Sequence, residues 1–207
     1  MKKLIYTLIT FLLLMTTKNI SAAGRSVDVT KLDVAGVKLG MTMDQAVKAI
    51  TSNLGISQSR IKFQSTTSFN TESQKKIKKI TGKIEITNFK VSTANGNYIV
   101  SFLPNVLNGN NKQMVVVSVG YSMPRNSDNI KTISNSMVQK YGQPSAQVGG
   151  LIFWCLSPEN DSCIYSRPAK PYISLNVTMA SMAIVDNGYE QAIDKYFDKQ
   201  KTTKAVF

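Results

Sequence analysis

Tyr98-Ile99-Val100-Ser101-Phe102-Leu103 and, ten residues on, Met114-Val115-Val116-Val117-Ser118-Val119-Gly120-Tyr121-Ser122-Met123 carry the reading that decides the fold. Both runs are dominated by β-branched and aromatic residues, which suit a pleated, packed surface. Between them Asn108-Gly109-Asn110-Asn111 supplies the residues of a turn. Just upstream, Ile84 to Val91 has the same character and is joined to Tyr98 across Asn95-Gly96-Asn97, a hairpin-type turn. Three strands in an antiparallel meander are the expectation.

Towards the N-terminus, Gly36-Val37-Lys38-Leu39-Gly40-Met41-Thr42-Met43-Asp44-Gln45 leads into a helix. Thr42 with Gln45 three residues later is a capping box, and Asp44 in the first turn complements the helix dipole. Met43, Ala46, Val47, Ile50 and Leu54 recur at helical spacing and Gly55 supplies the stop. Val27 to Leu32 reads as a short strand, and Gln58 to Lys83 as a polar, basic stretch.

Towards the C-terminus the pattern starts again. Asn126 or Ser127 caps a helix with Ile130, Ile133, Met137, Val138 and Tyr141 on one face, ended by Gly142 and Pro144. Strands 151–156, 162–166 and 172–179 follow. A last helix starts near Asn187 and carries Tyr189, Ile193, Tyr196 and Phe197. The fold class is α+β, with helices packed on one face of an antiparallel sheet in two loosely repeated helix-plus-strands units. No Pro/Gly/Ser linker divides the chain. A single domain over 24–207 is therefore expected, with 24–123 and 124–207 as sub-units.

The first residues read as an export signal. Lys2 and Lys3 precede an apolar run, Leu4 to Met15, of about a dozen residues, too short to span a bilayer as a helix. Ser21-Ala22-Ala23 fits a signal-peptidase site, with cleavage before Gly24. No cysteine stands there to take a lipoprotein anchor, and no later stretch is apolar for long enough to cross a membrane. A periplasmic or secreted protein with a signal peptide over 1–23 is the expectation.

The chain of 207 residues has 25 Lys and Arg against 12 Asp and Glu. Loss of Lys2, Lys3 and Lys18 with the signal leaves a net charge of +10. Such a field favours encounter with anionic partners, which in an envelope means lipid, lipopolysaccharide, polysaccharide or an acidic protein rather than nucleic acid. The densest cluster is Lys75, Lys76, Lys78, Lys79 and Lys83, interleaved with Ile77 and Ile80, a candidate surface for an anionic partner. A solvated helix face explains the same residues. Tyr121, Trp154, Tyr165 and Tyr172 are a candidate aromatic recognition patch, although aromatics alternating on strands also make core.

Cys155 and Cys163 are the two cysteines. In an oxidising compartment they read as a disulfide closing the mouth of a hairpin between strands 151–156 and 162–166, contributing about 2–3 kcal/mol. Their spacing is not that of a catalytic C-x-x-C dithiol.

Catalytic constellations are scarce. The chain has no histidine, which excludes Ser-His-Asp and Cys-His arrangements and His-ligated zinc. Asp44, Asp128, Asp186 and Glu190 sit where helices begin. Glu159 and Asp161 share the loop between the cysteines and are expected to be solvated, since calcium takes six or more oxygens. Ser73 and Lys76 match Ser-x-x-Lys without its partner motifs. Neither a metal nor a cofactor is expected.

The segment Gly36 to Ile50 resembles the glycine, Gly-Met-Thr and helix opening of small exported proteins of the SmpA/OmlA type, to which outer-membrane assembly lipoproteins belong, and of β-lactamase-inhibitor-like domains. Lys140-Tyr141-Gly142-Gln143-Pro144, with the Trp154 strand after it, is similar to their helix ending. The resemblance implies helices on one face of an antiparallel sheet and a role in binding other proteins. This chain departs from it in its greater length and in lacking the lipoprotein cysteine.

The functional expectation is a non-enzymatic binding protein acting on another envelope or extracellular protein, as an inhibitor, immunity factor or assembly factor. A basic binder of anionic envelope components is the alternative, and a carboxylate-based enzyme the third reading.

Overall fold

Thirteen residues of one strand organise the molecule. The computed structural model describes residues 26–65, 71–156 and 170–203. Within them the expected Met114–Met123 run becomes, up to Ser122, part of a long strand over Asn110–Ser122. In chain order the strands are β1 (Lys62–Gln64), β2 (Asn88–Thr93), β3 (Gly96–Asn105), β4 (Asn110–Ser122), β5 (Ala146–Val148), β6 (Leu151–Cys155), β7 (Tyr172–Asn176) and β8 (Ser181–Val185). The helices are α1 (Met43–Leu54), α2 (Thr71–Thr81), α3 (Ser127–Tyr141) and α4 (Gly188–Thr203). The strands form one sheet in the order β1-β2-β3-β4-β8-β7-β6-β5, every pair antiparallel. The α+β class and the β2-β3-β4 meander are as the sequence predicts. Each half contributes four strands in order, and the halves meet through their last strands, β4 and β8.

Strand register makes the core. Phe89, Val100, Val119, Ile184, Ile173 and Trp154 stand in one row across six strands. None of the six is more than 1% exposed. Over this face lie α1, burying Ala46, Val47 and Ile50, and α3, burying Ile133, Met137 and Tyr141. The capping box of α1 is formed: Gln45 N–H donates to Thr42 Oγ1 and Thr42 N–H to Gln45 Oε1. Asn126 caps α3 by accepting from Asn129 N–H at 2.8 Å.

A β-bulge explains the other face. Ser101 pairs Ser118 but Phe102 pairs Val116, so Val117 is the extra residue. Val115, Val116 and Val117 are all buried as a result. Val116 joins the main core, while Val115 and Val117 pack with Leu103 and with Tyr189 of α4. Beside α4, α2 sets Ile77 near Leu103 and Val117, and Lys76 reaches Asp194 of α4 at 2.8 Å. The one-face arrangement thus holds for α1 and α3. A strand apolar on both sides needs cover on both, and α2 and α4 supply it.

Other expectations change in detail. Val27 to Leu32 is no strand: Asp28 accepts from Thr30 N–H and winds Val29–Lys31 into a short 3-10 turn. The strand expected from Ile84 begins only at Asn88, and Ile84 is exposed. The strand expected over 172–179 breaks after Asn176, whose Oδ1 accepts from Thr178 and Met179 N–H, with Ala180 at φ 46°. No glycine or proline marks that turn, and it separates β7 from β8. Gln58 to Lys83 contains β1 and α2. The described partners of β6 are β5 and β7. The signal segment 1–23, strand 162–166, Glu159, Asp161, Cys163 and Tyr165 lie outside the described residues, and so does the bridge expected between Cys155 and Cys163. No helix among the described residues is long and apolar enough to cross a membrane.

Candidate functional site

Where α1 and α3 diverge over the sheet they leave a groove of about 580 Å³, within the size range of small-ligand clefts. Its floor is the row next to the core row. Tyr98 and Tyr121 face each other across β3 and β4, ring centroids 4.6 Å apart, and Met182 of β8 stands opposite Tyr121. The Tyr121 hydroxyl donates to the carbonyl of Asn95 at 2.8 Å, tying the floor to the β2–β3 turn. Gly96 makes that approach feasible. A Cβ there would lie 2.4 Å from the Ser122 carbonyl and 2.7 Å from the Tyr121 ring.

One wall is α3, through Ile133, Ser136, Met137 and Lys140. The other is the end of α1, Asn53 and Leu54, with Val34 and Ala35. Met123 completes an apolar, thioether-rich lining, and the amides of Asn53 and Asn95 stand exposed at the rim. A lining of tyrosine and methionine offers large contact area and adaptable shape.

Charge at the groove is internally balanced. Lys140 Nζ donates to Asp33 Oδ1 at 2.9 Å and to the Asp33 carbonyl at 3.0 Å, and it lies 5.5 Å over the Tyr141 ring. The Tyr141 hydroxyl donates to the same carbonyl at 2.8 Å, and Gly36 N–H to the Asp33 carboxylate at 2.9 Å. Burial would raise the Asp33 carboxyl, but the Lys140 ammonium and the Gly36 amide outweigh it and hold the group below its ordinary value. Burial, with the Asp33 charge adding to it, pushes the Tyr141 hydroxyl far up. Burial also raises Tyr98 and Tyr121. Both are neutral near pH 7, and among the described residues no carboxylate lines the groove.

The residues singled out in the sequence are not brought together. Tyr121 is on the groove floor. Trp154 shares its sheet face but is fully buried, its Nε1–H donating to the Gly142 carbonyl at 2.9 Å. Tyr172 packs with Phe153, Ala146 and Cys155 on the opposite face. Of the five lysines, Lys75 lies 3.7 Å from Glu72, Lys76 2.8 Å from Asp194 and Lys83 3.6 Å from Glu85. Lys78 and Lys79 stand exposed in the last turn of α2, where cations complement the helix dipole. Tyr98, Met123, Met137 and Met182 were not among the candidate site residues. The available signal was the high methionine content, nine residues, with no pattern showing which of them converge.

No family model matches the chain, and neither a curated protein nor a solved structure matches it.

Proposed function

We propose that the protein is an exported, non-enzymatic binding protein that takes an apolar side chain of another envelope or extracellular protein into the groove between α1 and α3. The observation that carries this reading is the lining itself. Tyr98, Tyr121, Met123, Met137 and Met182 give an adaptable apolar receptor, while Asn53 and Asn95 stand ready at the rim to pair with a partner's backbone. The one cation there among the described residues, Lys140, already has its carboxylate in Asp33. The likeness of Gly36–Ile50 to SmpA/OmlA-type and β-lactamase-inhibitor-like modules, which bind proteins, points the same way. A signal peptide over 1–23 and a Cys155–Cys163 bridge belong to the same proposal.

Binding to anionic envelope material through α2 is the weaker reading. Three of the five lysines in and just after α2, Lys75, Lys76 and Lys83, have carboxylates within ion-pair distance, and exposed lysines alone bind in a salt-sensitive way.

The test is affinity capture from envelope extract at low and high salt, with the wild type and with Ser136→Trp, which fills the groove from the exposed side of its wall. One protein retained in high salt by the wild type and lost with Ser136→Trp is the expected result. Equal retention by both proteins removes the groove from the function. Loss of everything in high salt turns the reading to α2.

A further inference from the structure

On the opposite face of the sheet, beneath α2, is a cavity of about 220 Å³ whose lining includes Gln74, Ile77, Asn88, Ser101, Phe102 and Val117. Asn88 is only 1% exposed, yet neither its Oδ1 nor its Nδ2 has a hydrogen-bond partner among the described residues. Among the described residues Gln74 Oε1 is likewise buried and unpartnered, and its Nε2 makes long bonds, 3.4 Å to the Glu85 carbonyl and 3.5 Å to Thr87 Oγ1. Two carboxamides with orphaned atoms beside one cavity are costly for a fold, because buried polar groups are normally paired. Strand register sets this up: Asn88 pairs Ser101 on β3 at the step before the bulge, so amide and hydroxyl share one face.

From these groups we infer that the cavity is a binding site for a neutral saccharide ring. The unmet groups are mixed, an amide donor and two carbonyl acceptors, and once the two carboxamides turn toward the cavity hydroxyl groups answer both, because each donates and accepts. Among the described residues no charged side chain lines the cavity, which disfavours an anion or a metal ion. Ile77 and Val117 give an apolar surface for the carbon face of a ring. The volume would hold roughly seven waters, about the size of one pyranose. A second hollow of about 230 Å³ shares Ser73, Ile77 and Leu103 with the first and adds Lys76, Glu190 and Asp194, so the path for a second ring is polar. The site is separate from the groove, and its failure would leave the proposed function untouched.

Saturation-transfer NMR on the purified protein with glucose, galactose, mannose and N-acetylglucosamine tests the inference. At least one sugar should receive saturation at its ring protons, and Asn88→Leu should weaken its binding at least tenfold. The same substitution should leave the melting temperature unchanged or raised, since it replaces an unpaired amide by an apolar group of similar shape. Should Asn88→Leu fail to fold, Gln74→Leu, on a half-buried helix position, carries the same expected loss. Absence of transfer to all four sugars would mean that ordered water alone fills the cavity, and would overturn the inference. Transfer undiminished in the leucine variant would overturn it equally.

Discussion

Lys140 Nζ lies 2.9 Å from Asp33 Oδ1, a carboxylate 107 positions earlier in the chain. The pair pins the segment before α1 to the last turn of α3 and so sets the width of the groove. Its pH dependence has a definite sign. The folded-state pKa of Asp33 is depressed, so its contribution is complete above the ordinary carboxylate pKa of about 4. It is lost as pH falls through the lower folded-state value. Asp33→Asn should destabilise the protein by about 1 kcal/mol at pH 7, the upper end for a partly exposed pair. Melting temperatures of the two proteins should converge as pH drops below 4. A constant difference down to pH 2 would mean that the charge contributes nothing.

Gly96→Ala should be among the more damaging single-methyl changes. The added carbon meets a backbone carbonyl and the Tyr121 ring at distances that atoms do not share. Either the β2–β3 turn or Tyr121 must move, and overpacking of this kind costs about 1–3 kcal/mol. Urea denaturation should show that loss. Near-ultraviolet circular dichroism should change with it, because the Tyr98–Tyr121 pair is the contact displaced.

How far this was legible follows from particular residues. Thr42, Gln45 and Gly55 mark α1, and Asn126 and Gly142 mark α3, because caps and stops are local chemistry written in a few positions. The β2-β3-β4 meander is equally local. Placement of α2 and α4 on the second face was not legible. It depends on the bulge at Val117, where one strand gains a residue on its neighbour, and no single strand records that. The groove was legible only through Tyr121, since Met182 and Met137 come to it from elements 45 residues apart in the chain. Asn88 carried no signal of its own: it falls inside the strand expected over Ile84 to Val91, and its burial is a property of the sheet.

The lysines of α2 should separate by partner. Lys76→Met removes the contact that joins α2 to α4 and should cost about 0.5–1 kcal/mol in low salt, with much of the loss disappearing at 1 M salt. Asp194 and its hydrogen bond raise the Lys76 ammonium, so this contribution is present below the ordinary lysine pKa and fades as alkaline pH passes the raised value. Glu substitutions at Lys78 and Lys79 should change stability by under about 0.5 kcal/mol, because both side chains are exposed. Thermal melts of the three variants at two salt concentrations distinguish these cases. A Lys76 effect unmoved by salt would mean that its methylene stem, not its charge, holds the helices together.

Trp154 decides whether the aromatic residues of the second half serve recognition or packing. Its ring ends the buried cross-strand row and meets Tyr141 edge-on at 6.4 Å, and its indole N–H closes on the carbonyl of Gly142, where α3 stops. Trp154→Phe keeps an aromatic in place but removes that donor and leaves a void. The buried carbonyl then loses its partner, and the missing ring volume adds a cavity term. Together these should cost about 2–3 kcal/mol, read as a lower urea midpoint. Because α3 forms a wall of the groove, its last turn should loosen with it, and amide exchange over Met137–Tyr141 should quicken while that of α1 does not. A surface recognition residue would show the reverse: unchanged stability and exchange, with partner retention lost.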